Sequence, residues 1–456
     1  MTEAVKNKII ESILRDDLEE ARSLLDPPPS DLEPLSALLK SVEGRPRPLA
    51  RLTAPPPRFV VVFPSYTCGI GCRMCNAGFA DRTELYEDYR YLEPHQFDAW
   101  RSWLDTASHV LFVGLGETLD SPHIPYFLDR TSRKETILYS SGVPLTRKKI
   151  HALIDSDLKF LTLSFDGKTA VGHGSGKNAY LRNFWEKVKL LQRIKTERSS
   201  KFPVVGLTIT VNRENLDQLE ELIGRARDHG IGDIMLTPMT VQRQELYEES
   251  IFSFWEEARD ALNHVMKRWN DTGLHVDYLG FRKTLPDRVA TCPYIDNWVT
   301  FNGVGTVNIC EGPLTLPQVP SEFSREKDWN AFPMRYLRFL HFCADPGERP
   351  QACQACFITQ PQSHSRWCDA RYGRDASPAP AAIVETYRAA SRLKKEHRFH
   401  EAEETFRQVI AAARDGDWIG KAYFHLGEME VIRNRFPQAL EHMKNAVRHA
   451  FDHRLA

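Results

Sequence analysis

Between residues 58 and 240, six short apolar runs alternate with longer stretches of helical periodicity: FVVVFPSYT (59–67), VLFVGLG (110–116), ETILYSS (135–141), FLTLSF (160–165), VVGLTITV (204–211) and DIMLTPM (233–239). Runs this rich in Val, Leu and Ile suit strands buried on both faces, which is the condition of a parallel sheet covered by helices. The spacer ENLDQLEELIGRARDHG has apolar residues at helical spacing and ends on a glycine stop. The pattern predicts an α/β fold, a partial (β/α)6 barrel related to the (β/α)8 barrel. In such folds reactive groups collect at the C-terminal ends of the strands.

The flanks differ from this core. Residues 1–57 read as an N-terminal helical segment and a linker: the helical ESILRDDLEEARSLL runs into Pro27, Pro28 and Pro29, and Pro46, Pro48 and Pro55–Pro57 follow. Residues 241–291 read as a helical connector. Residues 292–376 contain six of the nine cysteines and little periodicity, as expected of a small domain built around metal. After a Pro/Ala stretch, residues 383–456 are helical again. There Phe399, Ala402 and Phe406 recur as Phe436, Ala439 and Met443, with Leu426-Gly427 before the second copy. This repeat resembles two tetratricopeptide (TPR) units.

Charge excludes some functions. Lys plus Arg number 60 and Asp plus Glu 61, a net charge of −1, so no basic excess points to nucleic acid or an anionic membrane surface. The charged start, without an apolar core, and the lack of any long apolar run lead us to expect a cytoplasmic chain with no membrane span. Thiols stay reduced there, so clustered cysteines suggest metal before disulfides.

Cys68, Cys72 and Cys75 follow the first run at C-x3-C-x2-C spacing. Three thiolates on one loop can hold three irons of a cubane and leave the fourth iron open. Structural zinc normally takes four ligands in C-x2-C pairs, and no fourth cysteine is nearby; unliganded buried thiols are the other reading. Gly114, Gly116 and Glu117 end the second run, Ser164 and Asp166 the fourth, and Asn212 and Arg213 the fifth.

With the triad after the first strand, residues 58–240 resemble the radical S-adenosylmethionine (SAM) superfamily. The resemblance implies a [4Fe–4S] cluster on Cys68, Cys72 and Cys75 that binds SAM at its open iron. Reductive cleavage then gives a 5′-deoxyadenosyl radical, which abstracts hydrogen from a substrate. It further implies SAM contacts from Gly114, Gly116 and Glu117, with Glu117 facing the SAM ammonium. Ser164 and Asp166 fall where the ribose is held, and Arg213 where the SAM carboxylate is held. Met74 stands where an aromatic residue often precedes the third cysteine. His173 lies in a glycine-rich loop read as surface.

Cys292, Gly305 and Cys310 match C-x12-G-x4-C, followed by Cys353 and Cys356. This segment resembles the SPASM and twitch domains that follow radical SAM barrels. The resemblance implies an auxiliary [4Fe–4S] cluster on Cys292, Cys310, Cys353 and Cys356; a four-thiolate zinc site is the competing reading. Cys343 and Cys368 stay open between buried thiols, ligands of a further cluster and hydrogen donors to a substrate radical. An auxiliary cluster without an open iron most simply moves electrons. The layout resembles that of radical SAM dehydrogenases, and the resemblance implies oxidation of a small sugar- or cyclitol-like substrate, served by an external flavodoxin- or ferredoxin-type donor. A peptide-modifying maturase is the alternative, since a TPR-like tail can hold a protein or peptide. A non-catalytic cluster-binding scaffold is the third reading.

Overall fold

In the computed structural model the chain is described over residues 8–9, 12, 18–24, 53–70, 72, 74–75, 90–114, 116–167, 177–241, 244–279, 292, 294–301, 307–308, 361–372, 381–413 and 416–433, with scattered residues between and after the last stretches. Cys310, Cys343, His173, Phe436 and Met443 lie outside the described residues. A short helix α1 (Leu18–Leu24) lies in the expected N-terminal helical segment.

All six expected strands form: β1 (Phe59–Val62), β2 (His109–Phe112), β3 (Glu135–Ser140), β4 (Phe160–Ser164), β5 (Val204–Val211) and β6 (Asp233–Pro238). Helices separate them: α2 (Pro94–Ala99) and α3 (Arg101–Thr106) after β1, α4 (Ile124–Arg130) after β2, α5 (Arg147–Asp155) after β3, α6 (Lys177–Glu197) after β4 and α7 (Leu219–Asp228) after β5. Gly230, at φ +74°, supplies the left-handed residue that ends the α7 turn, at no side-chain cost.

Two further parallel strands extend the six-strand core. After α8 (Trp255–Asn270), β7 (His275–Tyr278) pairs with β6, so the segment read as a helical connector contributes a strand. β8 (Trp298–Phe301) pairs with β1 and with β9 (Val307–Asn308), the latter being the one antiparallel strand pair among the described residues. The sheet order is β7-β6-β5-β4-β3-β2-β1-β8-β9, an open arc of eight parallel strands closed at one edge by the hairpin. The hairpin expected between Cys292 and Cys310 is thus present, and its first strand belongs to the barrel.

Side-chain alternation gives the sheet two faces. Val60, Val62, Val110, Phe112, Leu138, Leu161, Leu163, Leu207 and Ile234 point outward into the helical layer with Phe97, Phe127, Ile150 and Leu222, forming the main core. Burying each such side chain contributes about 1.5–3 kcal/mol. β8 joins this core because Trp100 stacks on Phe301 at 4.6 Å between centroids.

The other, concave face divides into two halves. Over β1–β3 it is apolar: Val61 and Leu111 are buried with Tyr294, Trp298 and Ile358, and Cys292, Cys356 and Phe357 pack on the same cluster. Over β4–β7 it is polar. In one lateral row Ser164 pairs with Thr208, Thr208 with Met235 and Met235 with Asp277; Thr210 pairs with Thr237 in the next.

The chain after β9 is pinned to the segments that lead into β1 and β8. Buried Arg338 donates to the Ile295 carbonyl at 3.2 Å and to Asn330 at 2.9 Å, and Asn330 exchanges two hydrogen bonds with Ala54. α9 (Pro361–Tyr372) follows, and buried Cys368 joins the main core. Its burial among apolar side chains fits the reading of Cys368 as a packed thiol. The C-terminal helices α10 (Ala381–Lys395), α11 (Phe399–Ala412) and α12 (Gly416–Ile432) share a separate core of Ala390, Ala402, Phe406, Val409, Ala422, Leu426 and Met429. Ala402 and Phe406 of the first repeat copy face that core, as does Leu426 before the second.

Candidate active site

Strand β1 delivers the cysteine loop. The chain leaves β1 through Phe63–Thr67, and the segment after β2 runs alongside: Gly116 N donates to Ser65 O at 3.0 Å and Glu117 N to Thr67 O at 2.8 Å. This contact explains Gly116, because a Cβ there would lie 2.6 Å from the backbone N and O of Thr67. Gly114 is crowded by Phe63 in the same way, at 3.2 Å. Both glycines therefore admit the neighbouring chain that leads into Cys68.

The cysteine loop is a charge-dense site. Cys75 N donates to Cys72 O at 3.1 Å, a tight turn that holds the last two cysteines together. Burial pushes the Cys68 thiol up to about 11, with Glu117, Cys75 and Asp120 adding negative charge. Burial, Cys75, Asp166 and Cys68 push Cys72 up to about 12. The three thiols thus lie within electrostatic reach of one another and of Glu117, Asp120 and Asp166, at the C-terminal end of the sheet. A donor set whose thiolates repel one another gains by binding a cation. Among the described residues no three His, Cys, Asp or Glu side chains converge on one metal ion. A cubane does not ask them to, since each thiolate binds a different iron. The donor set on this loop fits a [4Fe–4S] cluster.

Glu117 is buried and saturated. Its Oε1 accepts from Leu119 N at 3.0 Å and Ser140 Oγ at 2.7 Å, and its Oε2 from Ser141 N at 2.9 Å and Ser141 Oγ. A carboxylate offers about four acceptor positions, so these donors use them. A direct ion pair with a SAM ammonium would require one serine hydroxyl to turn away. The side chain fastens the turn after β2 to the end of β3. The sequence singled out Glu117 but not its partners Ser140 and Ser141, whose adjacent hydroxyls ending a strand were the available signal.

Asp166 lies just past β4. Burial raises it to about 6, against the opposing effect of Thr210, whose backbone N–H donates at 2.5 Å. Asn215 donates to the carbonyls of both Asp166 and Thr210, which ties the ends of β4 and β5 together. Asn212 is buried there and accepts from Glu214 N and Asn215 N. Arg213 is engaged elsewhere: its guanidinium stacks over Phe254 at 3.8 Å and donates to Glu248 O and Ser253 Oγ. These contacts leave the expected SAM-carboxylate role of Arg213 without support.

At the second site, burial pushes Cys292 up to about 12, and Cys356 adds negative charge to it. Cys356 N reaches Cys353 O at 3.4 Å. The structure therefore brings Cys292 to Cys356, with Cys353 one turn away. No disulfide forms among the described cysteines.

No protein-family model and no curated protein matches the sequence. Among solved structures, the chain is similar to SuiB of Streptococcus suis, at 12% identity and TM-score 0.45, over 72% of this chain and 76% of that one. It is similar to anSMEcpe with bound AdoMet and Cp18Cys peptide, at 12% identity and TM-score 0.45, over 70% and 97%. It is also similar to BtrN in complex with AdoMet and 2-DOIA, at 14% identity and TM-score 0.34, over 65% and 91%. Likeness at these values assigns no residue of this chain. Among the described residues no helix is long and apolar enough to cross a membrane.

Proposed function

We propose that the chain is a radical SAM enzyme that oxidises an alcohol on a small polyhydroxylated, sugar- or cyclitol-like molecule. Cys68, Cys72 and Cys75 would hold the SAM-binding [4Fe–4S] cluster, and Cys292, Cys310, Cys353 and Cys356 the auxiliary one. When bound, the first cluster supplies the electron that cleaves SAM to methionine and the 5′-deoxyadenosyl radical. The chain's own residues shape and orient. Glu117 and its serines fix the turn beside Cys68, Gly114 and Gly116 admit the cysteine loop, and Asp166 and Ser164 close the ends of β4 and β5.

The observation that carries the substrate class is the division of the concave face. Over β1–β3 it is apolar and packed beneath Cys292, Cys356 and Phe357. Over β4–β7 it presents Thr162, Ser164, Thr208, Thr210, Thr237 and Asp277 around Met235, and β4 is the strand that leads into Asp166. Thr162, Ser164, Thr210 and Thr237 are only half-buried, and the Thr237 hydroxyl donates to the Ile209 carbonyl at 3.4 Å. A row of hydroxyls and a carboxylate discriminates for groups that hydrogen-bond, because an analogue lacking them leaves buried polar atoms unpaired.

The test is 5′-deoxyadenosine formation by anaerobically reconstituted, reduced protein with SAM. Slow formation alone, accelerated by polyols or aminocyclitols and not by peptides, supports this reading. Acceleration by peptides alone would replace it with the maturase reading, which the separate helical core of α10–α12 favours as a docking module.

A further inference from the structure

The auxiliary cysteines are recognisable in the sequence by their spacing alone. The fold brings a histidine to them. His341 Nε2 lies 3.2 Å from Cys353 Sγ, and the two residues are 3% and 4% exposed. His341 stands in the segment that Arg338 anchors to β8 through Ile295, so its position is set by the barrel.

We infer that His341 is a hydrogen-bond donor to the Cys353 thiolate and sets the reduction potential of the auxiliary centre. This rests on the proposed auxiliary cluster. A thiolate bound to iron can only accept, so Nε2 must carry the proton. His341 is a positioning residue and not a ligand of the cubane: ligands of a cubane sit on different irons, and two donors 3.2 Å apart can serve only one. Donation to a cluster sulfur draws electron density from it and stabilises the more negative, reduced state. Hydrogen bonds to the sulfurs and burial are the protein's main means of tuning such potentials.

The experiment uses full-length protein carrying Cys68→Ala, Cys72→Ala and Cys75→Ala, so that only the auxiliary centre is loaded. About four irons per chain are expected from one cubane. An iron-free chain would overturn the cluster reading, and the inference with it. With iron present, redox titration followed by electron paramagnetic resonance should show His341→Leu harder to reduce. The reduced-to-oxidised ratio at a fixed potential should fall about tenfold, equivalent to about 59 mV for a one-electron couple. His341→Gln, which keeps an N–H donor, should stay near the parent. An unchanged potential in His341→Leu overturns the inference and leaves the cluster reading standing. Should His341→Leu fail to fold, 15N-histidine labelling of the parent decides by pulsed resonance. One weakly coupled nitrogen is expected; a strong, directly bonded coupling or none at all overturns the inference.

Discussion

The Glu117 carboxylate accepts the Ser140 hydroxyl at 2.7 Å, joining the turn after β2 to the last residue of β3. With Leu119 and Ser141 it receives four donors in a buried position. Glu117→Gln turns one acceptor oxygen into a donor that faces other donors. A buried polar group left unsatisfied costs about 1–3 kcal/mol, and denaturant unfolding should show a loss of that size. SAM affinity should fall with it, because the same turn carries Gly116 and borders Cys68. Unchanged stability would show that these donors do not hold the carboxylate.

Gly116 tests the link between backbone packing and metal. In Gly116→Ala the new Cβ would meet Thr67 backbone atoms at 2.6 Å. Backbone cannot rotate aside, so the chain just before Cys68 must shift. We expect reduced iron incorporation and little 5′-deoxyadenosine, with auxiliary iron retained. Gly114→Ala, against the Phe63 side chain at 3.2 Å, should be milder. Equal iron content in all three proteins would refute the argument.

Cys72→Ala leaves the cluster two protein ligands and should abolish 5′-deoxyadenosine formation while the fold persists. Because burial holds Cys68 at about 11 and Cys72 at about 12 in the metal-free chain, iron must displace their protons. Cluster assembly should therefore release protons and weaken as pH falls. Reconstitution yield measured between pH 6 and 9 checks this; a yield independent of pH would count against it.

Asp166 predicts a pH dependence of stability. Its ordinary value of 3.8 is raised to about 6 in the fold, chiefly by burial. Between these values the folded chain binds more protons than the unfolded one, so this group's contribution is complete below about pH 4. It is lost as pH rises through 6 and is level above. The total is about 3 kcal/mol. Asp166→Asn keeps an acceptor for Thr210 N and should remove that slope from unfolding curves of metal-free protein. Persistence of the slope would place its origin elsewhere.

The sequence alone determined the six strands β1–β6 and the loop chemistry, for a local reason. Contiguous apolar runs such as VVGLTITV and a C-x3-C-x2-C loop carry their signal within a few residues. Strand β7 escaped because His275-Val-Asp-Tyr278 is four residues long and alternates polar with apolar, and β8 because Trp298–Phe301 joins the barrel only by pairing with β1, far away in the chain. Tertiary structure alone decided what each side chain faces. It filled the Glu117 carboxylate with serine donors, turned Arg213 onto Phe254, and set His341 against Cys353. Such contacts depend on which distant strand ends and loops the curved sheet brings together, and no spacing along the chain encodes them.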